Sequence, residues 1–272
     1  MVVRADQDLN SQQAHLSSAS HDMRISNLAR FILHKIQISN TKFQTNSKFQ
    51  ILDKNEKLSL LDVGAGNGLF LKYFKERGFQ VSGYELEAEN VANMKKDPLL
   101  KNEAISKGDI TKMTGMENYD LVIASDVIEH IENDVLAIKN LWSFVKPDGM
   151  MLITVPAHAH LFGRRDVMWG HHRRYDPQLL LDRIKKAIGN SKIQNPNFKV
   201  EFITQWNIVG YFVYFLFEKI LHKPINEKMR YSPSLFGRIS RFIVERILQI
   251  EELIGGLPLG LTLVVGVRKT IR

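Results

Sequence analysis

The most regular hydrophobic pattern in the chain is an order of strand, helix and strand between residues 57 and 87. Residues 58–63 form an apolar run closed by glycine, which is typical of a strand buried on both faces. A helix is predicted next, because apolar side chains recur at helical spacing at Leu69, Phe70, Tyr73 and Phe74. Gly78 ends this helix, and residues 80–84 form a second predicted strand that leads to Glu85. This order indicates an α/β fold.

Hydrophobic spacing in the second half predicts two more helices and a closing strand. Asp176 and Pro177 supply an N-cap and a first helical residue, and this helix ends at Gly189. A longer amphipathic helix is predicted over residues 234–255, with one apolar side formed by Leu235, Ile239, Phe242, Ile243, Ile247 and Ile250. Residues 261–269 alternate as an apolar strand and close the chain.

The charge of the chain is unevenly distributed. The 272 residues carry a formal net charge of +8, and residues 164–272 contain 19 Lys and Arg against 9 Asp and Glu. Such a basic surface favours phosphate, nucleic acid or an acidic membrane surface as partner, or it is a solvated face that aids solubility. The chain has no cysteine, which excludes disulfides and thiolate metal sites.

The first residues are polar and lack the apolar core of a secretion signal. We therefore expect a cytoplasmic protein in which residues 1–20 form a disordered tail. The longest apolar run, residues 208–217, is about 15 Å long as a helix, whereas a bilayer core is about 30 Å thick. We expect this run to be a buried helix or to lie at the inner face of a membrane.

Three glycines after the first strand, Gly64, Gly66 and Gly68, predict a nucleotide-cofactor site. They let the backbone turn sharply and approach a ligand, and the following helix directs its free N–H groups to the same place. Glu85 lies 21 residues after Gly64, which fits the spacing of about 20 for an acid that binds a ribose diol. The third glycine of a dinucleotide site is replaced by Leu69, so a cofactor without a pyrophosphate is favoured.

The segment "LLDVGAGNG" at residues 60–68 resembles the first motif of the class I S-adenosylmethionine-dependent methyltransferases. Three later segments resemble the next motifs in order: "GDI" at 108–110, "YDLVIASDVIEHIEND" at 119–134 and "LWSFVKPDGMMLITVP" at 141–156. The resemblance covers about residues 58–156. It implies an α/β, Rossmann-like methyltransferase fold with a seven-stranded, mostly parallel sheet and an antiparallel last strand.

In such a fold, residues 261–269 would be the antiparallel last strand and would lie beside a strand near residues 198–204. The helices that precede the last strand would then be a C-terminal insertion within one domain, residues 21–272. Within this domain we predict a cofactor-binding half at residues 58–156 and a substrate-side loop and helical insertion at residues 157–260.

The resemblance also implies which residues bind S-adenosylmethionine. The implied set is Asp62, Gly64, Ala65, Gly66, Asn67, Gly68, Glu85, Leu86, Asp109, Ile110, Ser125 and Asp126. Glu85 would hold the ribose, Leu86 and Asp109 the adenine, and Ser125 and Asp126 would lie below the sulfonium. Upstream, "MRISNLARFI" resembles the helix that precedes the catalytic domain of ubiquinone-biosynthesis O-methyltransferases, where an arginine pairs with the cofactor carboxylate. Arg24 is the matching position, and the alternative is a surface arginine on a packing helix.

The segment "SDVIEH" at residues 125–130 resembles the acid-x-x-Glu-His of the quinone O-methyltransferases, in which a divalent ion can lie near the acceptor hydroxyl. Two carboxylates and an imidazole suit such an ion, which would lower the pKa of a phenol. The alternative, which we favour, is that Glu129 and His130 brace the loop beside the cofactor without a metal. His130 acting as a general base is a further alternative.

The segment "MWGHHRRYD" at residues 168–176 precedes a predicted helix and is expected at the rim of the active site. We predict that Arg173, Arg174 and Tyr175 bind an anionic or hydroxyl-bearing substrate, because arginine forks bind phosphate or carboxylate. The alternatives are a metal site, a nucleic-acid contact and a surface turn.

A narrower resemblance concerns "DVMWGHHRRYDPQLL" at residues 166–180 and "LPLGLTLVVGVRK" at residues 257–269. Both are similar to bacterial methyltransferases that accompany glycosyltransferases of surface-polysaccharide assembly. This resemblance implies a hydroxyl on a glycan or a lipid-linked intermediate as acceptor, with a quinone-like prenylated phenol as the alternative. We expect no nucleic acid as partner, and the basic C-terminal helices either cap the site or contact a membrane surface.

The function predicted from these features is transfer of a methyl group from S-adenosylmethionine to a substrate oxygen. The candidate general bases are His130, His158 and His171. Two rival functions stay open: a nicotinamide-dependent oxidoreductase, which would need the missing third glycine, and a module that binds S-adenosylmethionine without catalysis.

Overall fold

The computed structural model describes residues 19–39, 57–189, 198–222 and 235–270. The predicted N-terminal tail, residues 1–20, lies outside these ranges except for its last two positions, which begin the first helix.

Seven apolar segments form one central sheet. Its strands are β1 (Ser59–Val63), β2 (Gln80–Glu85), β3 (Ala104–Lys107), β4 (Tyr119–Ser125), β5 (Val145–Pro156), β6 (Phe198–Trp206) and β7 (Thr262–Lys269). They are arranged in the order β3-β2-β1-β4-β5-β7-β6. β7 is antiparallel to both β5 and β6, whereas the other neighbouring pairs are parallel. The predicted Rossmann-like sheet, with an antiparallel last strand beside a strand near residues 198–204, is confirmed.

Helices cover both faces of the sheet. They are α1 (Ala19–Ser39), α2 (Leu69–Lys75), α3 (Ala88–Lys96), α4 (Asp134–Ser143), α5 (Arg164–Met168), α6 (Pro177–Ile188), α7 (Ile208–Tyr214) and α8 (Leu235–Ile254). One apolar cluster joins α1, α2, α3 and α8 to one face of the sheet, and a second joins α4 and α6 to the other face. This layering leaves the carboxyl ends of the parallel strands as the edge where a ligand site can form.

The helix predicted after Asp176 is present, but the prediction that the Asp176 side chain caps it is wrong. α6 begins at Pro177, and Gly189 follows its last residue, as expected. The Asp176 side chain makes no capping hydrogen bond to α6. Its carboxylate instead accepts a hydrogen bond from the backbone N–H of Ala159 at 3.3 Å. Asp176 therefore links the two arms of the segment that joins β5 to α6.

The helices α7 and α8 lie in the chain between β6 and β7. α7 continues into a π-helical segment, Phe215–Ile220, so the apolar run at 208–217 spans two kinds of helix. The carboxylate of Glu251, on α8, accepts a hydrogen bond from the first N–H of α7, at Ile208, over 3.3 Å. Within the described ranges, no helix combines the length and apolar content that a membrane crossing requires.

Trp206 at the end of β6 joins the sheet to α1. Its side chain is fully buried, and its ring lies 6.4 Å from the ring of Phe31 on α1. Trp206→Ala is expected to lower the free energy of unfolding by about 3–5 kcal/mol, because it removes a large buried side chain and leaves a cavity. Urea titration followed by far-ultraviolet circular dichroism measures this change. Met116→Ala, at an exposed position, is the control and should change the free energy by less than about 0.5 kcal/mol. Equal stability of the two variants would contradict the packing described here.

Candidate active site

The turn between β1 and α2 carries the three glycines singled out in the sequence. Gly64, Gly66 and Gly68 have φ angles of +77°, +54° and +78°, a region that favours glycine. A Cβ on Gly64 would lie 2.4 Å from a methyl group of Val127, whereas a Cβ on Gly66 would meet no atom within 4 Å. The turn is therefore packed against the loop after β4 on one side and faces open space at Gly66. An open, glycine-lined turn at a helix N-terminus suits a bound nucleotide cofactor.

Glu85 at the end of β2 is buried and holds the glycine turn in place. Its carboxylate accepts hydrogen bonds from the N–H groups of Gly66 at 2.7 Å and of Glu87 at 2.9 Å. Asp62 lies on the neighbouring strand β1, and burial, followed by the nearby charge of Glu85, raises its pKa to about 7. The two acids thus lie together beneath the turn. Their predicted contacts with the cofactor stay predictions.

The residues predicted to contact the adenine differ in their exposure and in their hydrogen bonds within the protein. Leu86 is largely exposed, as expected for a side chain that covers a ligand edge. Asp109 is already engaged, because its carboxylate accepts from the N–H and hydroxyl of Thr111 at 3.0 and 2.7 Å. These hydrogen bonds hold the pKa of Asp109 below its usual range. Ile110 is buried, and its carbonyl accepts from the side-chain amide of Asn140 at 2.7 Å.

The structure brings Arg24 from α1 to the end of β4. Its guanidinium donates to the Asp126 carboxylate at 3.0 Å, across 102 residues of sequence. Asp126 has a φ of +54°, which is unusual for a residue other than glycine. The neighbouring Ser125 hydroxyl shares a hydrogen bond of 2.8 Å with Thr154 of β5. The ion pair places Arg24 beside Asp126, and its predicted pairing with the cofactor carboxylate stays a prediction.

A cluster of three side chains lies just beyond Asp126. Glu129 and His130 belong to a 3-10 turn, Ile128–His130, and His171 comes from the loop before α6. The imidazole rings of His130 and His171 have centroids 4.7 Å apart, and ligand atoms of all three residues lie within 4.8 Å of one another. This group is called the Glu-His-His cluster below.

Glu129 is fully buried, and neither of its carboxylate oxygens has a hydrogen-bond partner. Burial, with the charge of Asp126 added, raises the pKa of Glu129 well above its usual range. Burial and the neighbouring His171 lower the pKa of His130. Both shifts favour neutral side chains at the cluster, so these groups are suited to exchanging protons or to binding a cation.

Asp166 on α5 holds His171 in place, although the sequence analysis did not single it out. Its buried carboxylate accepts from Nδ1 of His171 at 2.8 Å, from Nε of Arg174 at 2.8 Å and from the hydroxyl of Tyr214 at 3.0 Å. Burial alone would raise its pKa, but the hydrogen bond from His171 and the charge of Arg174 hold the pKa of Asp166 at about 2. The Nδ1 of His171 is therefore occupied, and Nε2 is the nitrogen left to accept a proton.

A local signal for Asp166 did exist. The backbone N–H of Gly163, which precedes α5, donates to the Asp166 carboxylate at 2.9 Å. An acidic residue at the third helical position that bonds back to the N-cap is half of a capping box. The signal locates the start of a helix, however, and says nothing of the long-range partner Tyr214.

The arginines and the tyrosine of the loop before α6 are bonded within the protein. Arg173 donates to the carbonyl oxygens of Ile131 and Glu132 at 2.8 and 2.9 Å. Arg174 is buried against Asp166, and the fully buried Tyr175 donates to Asp134 at 2.9 Å. The structure thus favours a bracing role for these three side chains over an open anion clamp, and their contact with substrate stays a prediction.

His158 lies apart from the Glu-His-His cluster. It has a φ of +66°, and its ring contacts those of Tyr211 at 4.8 Å and His160 at 5.4 Å. Burial, followed by the neighbouring His160, lowers the pKa of His158. Of the three candidate bases, the structure therefore brings together His130 and His171.

The residues of the Glu-His-His cluster fit a divalent metal ion. The Glu129 carboxylate has no hydrogen-bond partner, so both of its oxygens are available to a cation, and one carboxylate with two imidazoles suits Mn²⁺ or Zn²⁺. Asp166 supports His171 from behind, as acids commonly do for histidine ligands. The acid expected from the sequence pattern, Asp126, is instead paired with Arg24. The fitting set is thus Glu129, His130 and His171.

The chain is similar in sequence to known methyltransferases. A family model described as a methyltransferase domain matches residues 34–211 of the chain. A ubiquinone biosynthesis O-methyltransferase from Rickettsia felis is 30% identical over 126 residues, which are 45% of this chain and 51% of that protein. One from Rhodopseudomonas palustris is 32% identical over 114 residues, which are 41% and 44% of the two chains. The chain spans about half the length of these curated relatives.

Solved structures show the same fold at low sequence identity. The plantazolicin methyltransferase, in complex with S-adenosylhomocysteine, superposes with a TM-score of 0.56 at 14% identity and covers 96% of this chain and 91% of its own. A methyltransferase dependent on S-adenosylmethionine from Mesorhizobium loti superposes with a TM-score of 0.51 at 14% identity, covering 80% and 93%.

The free energy of unfolding should fall as the pH rises because of Asp62, and a mutation of Asp62 should abolish this dependence. Its pKa is raised from 3.8 to about 7, so the folded state keeps a proton that the unfolded chain loses. The stabilisation is complete below about pH 4 and is lost as the pH rises through about 7. Asp62→Asn should remove this fall in the free energy of unfolding, on the order of 4 kcal/mol.

Urea titrations at several pH values measure this dependence. Glu89→Gln, at an exposed position on α3, is the matched control and should follow the wild-type pH dependence. If Asp62→Asn follows the same curve as the wild type, the proton is held elsewhere.

Proposed function

The chain belongs to the methyltransferase-domain family, within the class I S-adenosylmethionine-dependent methyltransferases, and from this premise we propose that it methylates a hydroxyl oxygen. The acceptor is a small molecule, a glycan or a lipid-linked intermediate. The observation that carries the proposal is the position of the Glu-His-His cluster. It follows Val127, whose side chain abuts the glycine turn at Gly64, so a group able to take a proton lies beside the turn that suits the cofactor.

Transfer to a hydroxyl needs a base, since a neutral hydroxyl is a weak nucleophile. In the proposed step the acceptor oxygen forms a bond to the methyl carbon as the carbon–sulfur bond of S-adenosylmethionine breaks. The hydroxyl proton passes to Nε2 of His171, and the product is S-adenosylhomocysteine. Asp166 bonds to Nδ1 and stabilises the imidazolium that forms, as a carboxylate does in other histidine bases.

Alignment is the other contribution we assign to the protein. Methyl transfer requires the acceptor oxygen, methyl carbon and sulfur to lie in line, and holding two reactants in this geometry is worth about 7–11 kcal/mol in favourable cases. The glycine turn and Glu85 would fix the cofactor, and the buried cluster would fix the acceptor hydroxyl. The names of the relatives, ubiquinone biosynthesis O-methyltransferases, support oxygen as the methylated atom.

A divalent ion at the Glu-His-His cluster is a second candidate for the same task. The unpartnered carboxylate of Glu129 favours it, because a bound cation would compensate that group. When bound, such an ion lowers the pKa of a hydroxyl and orients it. Glu129, His130 and His171 would hold the ion, and Asp166 would orient His171.

The glycine turn provides a test of cofactor binding that is separate from catalysis. Gly66→Val is expected to weaken S-adenosylmethionine binding at least about 100-fold, because the added side chain enters the open space of the turn and strains a φ of +54°. Calorimetric titration measures the affinity, and circular dichroism checks that the variant folds. Gly78→Val is the control, since Gly78 also has a positive φ and open space but lies beyond the other end of α2. Unchanged affinity in Gly66→Val would place the cofactor elsewhere.

His171 provides the test of the proposed reaction. The enzyme is expected to transfer labelled methyl groups from S-adenosylmethionine to catechols or to hydroxyl-bearing glycans, and His171→Gln should lower turnover by about 10²–10⁴-fold. His172→Gln, at the exposed neighbouring position, should retain wild-type turnover. Transfer to amines but not to hydroxyls, or full activity of His171→Gln, would refute the proposed role.

The same assay distinguishes the alternatives. Activity that EDTA abolishes and Mn²⁺ restores would indicate a metal at the cluster, whereas unchanged activity would indicate direct proton transfer to His171. A module that only binds the cofactor would show affinity in calorimetry and no turnover with any acceptor. Binding of NAD in place of S-adenosylmethionine would indicate the oxidoreductase.

A further inference from the structure

The last long helix, α8, has an apolar side that faces solvent as well as one that faces the fold. Leu248 and Glu251 are buried against the rest of the protein. On the opposite side, five large hydrophobic side chains are between 51% and 78% exposed: Phe242, Ile243, Ile250, Leu253 and Ile254. At about 100° per residue these five lie within one third of the helix circumference. This set, together with Arg246, is called the outer stripe below.

Exposed apolar side chains are concentrated in this insertion. Phe212, Leu216 and Ile220, in α7 and its π-helical continuation, are also exposed, as is Leu221, which follows them. Of the sixteen exposed large hydrophobic residues found in the described ranges, eight belong to these two helical segments and Leu221 directly follows one of them. Single exposed hydrophobic residues need no explanation, but a continuous stripe of them marks an interaction surface.

We propose that the outer stripe of α8 docks on the surface of an anionic lipid bilayer. Charge is the first argument. The stripe contains one charged residue, Arg246, whose guanidinium lies 4.9 Å from the ring of Phe242. An arginine in this position can bury its stem and keep its charge at the lipid headgroups. The part of the chain from residue 164 onward carries 19 basic against 9 acidic residues, so an anionic surface attracts it.

Size is the second argument, and it disfavours a second copy of the chain as the occupant. From Phe242 to Ile254 the stripe is about 18 Å long and one helix, about 10 Å, wide. This amounts to on the order of 180 Å², whereas a stable interface needs about 800 Å² from each partner. A bilayer surface sets no such requirement, because an amphipathic helix lying in the interface buries its apolar side between lipids.

Vesicle flotation with the full chain tests the proposal. The protein should float with vesicles of phosphatidylcholine and phosphatidylglycerol, bind vesicles of phosphatidylcholine alone at least about fivefold more weakly, and dissociate as salt is added. The double variant Ile250→Gln and Leu253→Gln should weaken binding at least about tenfold, because it replaces two exposed apolar side chains while keeping good helix formers. Arg246→Gln should weaken it by about fivefold.

The matched control is the double variant Leu99→Gln and Met116→Gln, which changes two exposed hydrophobic residues away from α8 and should float like the wild type. Three results would overturn the proposal: no flotation of the wild type with anionic vesicles, equal flotation of the α8 double variant, or equal loss in the control. Sedimentation velocity without lipid could give a fourth result that overturns the proposal. A wild-type dimer that the α8 double variant converts to monomer would assign the stripe to a second copy.

Discussion

The buried carboxylate of Asp166 joins three segments that are distant in the sequence. It lies on α5, binds His171 and Arg174 in the loop before α6, and accepts the hydroxyl of Tyr214 from α7. A charge buried this deeply is tolerated only when every lone pair is satisfied and an opposite charge is close. Arg174 supplies that charge, so the loop, the short helix and the C-terminal insertion stabilise one another through this carboxylate. The position of His171, and with it the proposed chemistry, depends on this assembly.

The buried acid of the Glu-His-His cluster, Glu129, differs from Asp166 in having no hydrogen-bond partner. Asp166 has four donors, whereas Glu129 has none, although both are fully buried. Among the buried side chains of the described ranges that lack partners, Glu129 is the one carboxylate with both oxygens unsatisfied. Such a group destabilises the fold, and sites of this kind are commonly where function requires a local departure from good packing. The same contrast explains why the pKa of Asp166 falls and that of Glu129 rises.

The cofactor half could be predicted from the sequence because its signals are local. A buried strand, a glycine turn, a helix and an acid follow one another within 57–87, and each is specified by its own residues. The environment of the second half depends on contacts between distant residues. In the sequence, Arg173, Arg174 and Tyr175 suggest an anion clamp. In the structure, however, Tyr175 binds Asp134, which is 41 residues away, and Arg174 binds Asp166, which is 8 residues away. No periodicity reveals such pairs, and Asp166 itself was indicated only by a helix cap.

Two hydrogen bonds made by the insertion between β6 and β7 connect the helix that carries the outer stripe to Asp166, beside the proposed base. Glu251, opposite the stripe on α8, bonds to the start of α7 at Ile208, and Tyr214, at the end of α7, bonds to Asp166. Burial raises the pKa of Glu251 to about 7. The charged form of Glu251 therefore destabilises the folded state, and protonation of the carboxylate removes this destabilisation. With the outer stripe on a bilayer, α7 would connect the docked helix α8 to Asp166 and so to the loop that carries His171. Of the acceptors proposed above, a lipid-linked hydroxyl is the one that would use both the outer stripe and the Glu-His-His cluster.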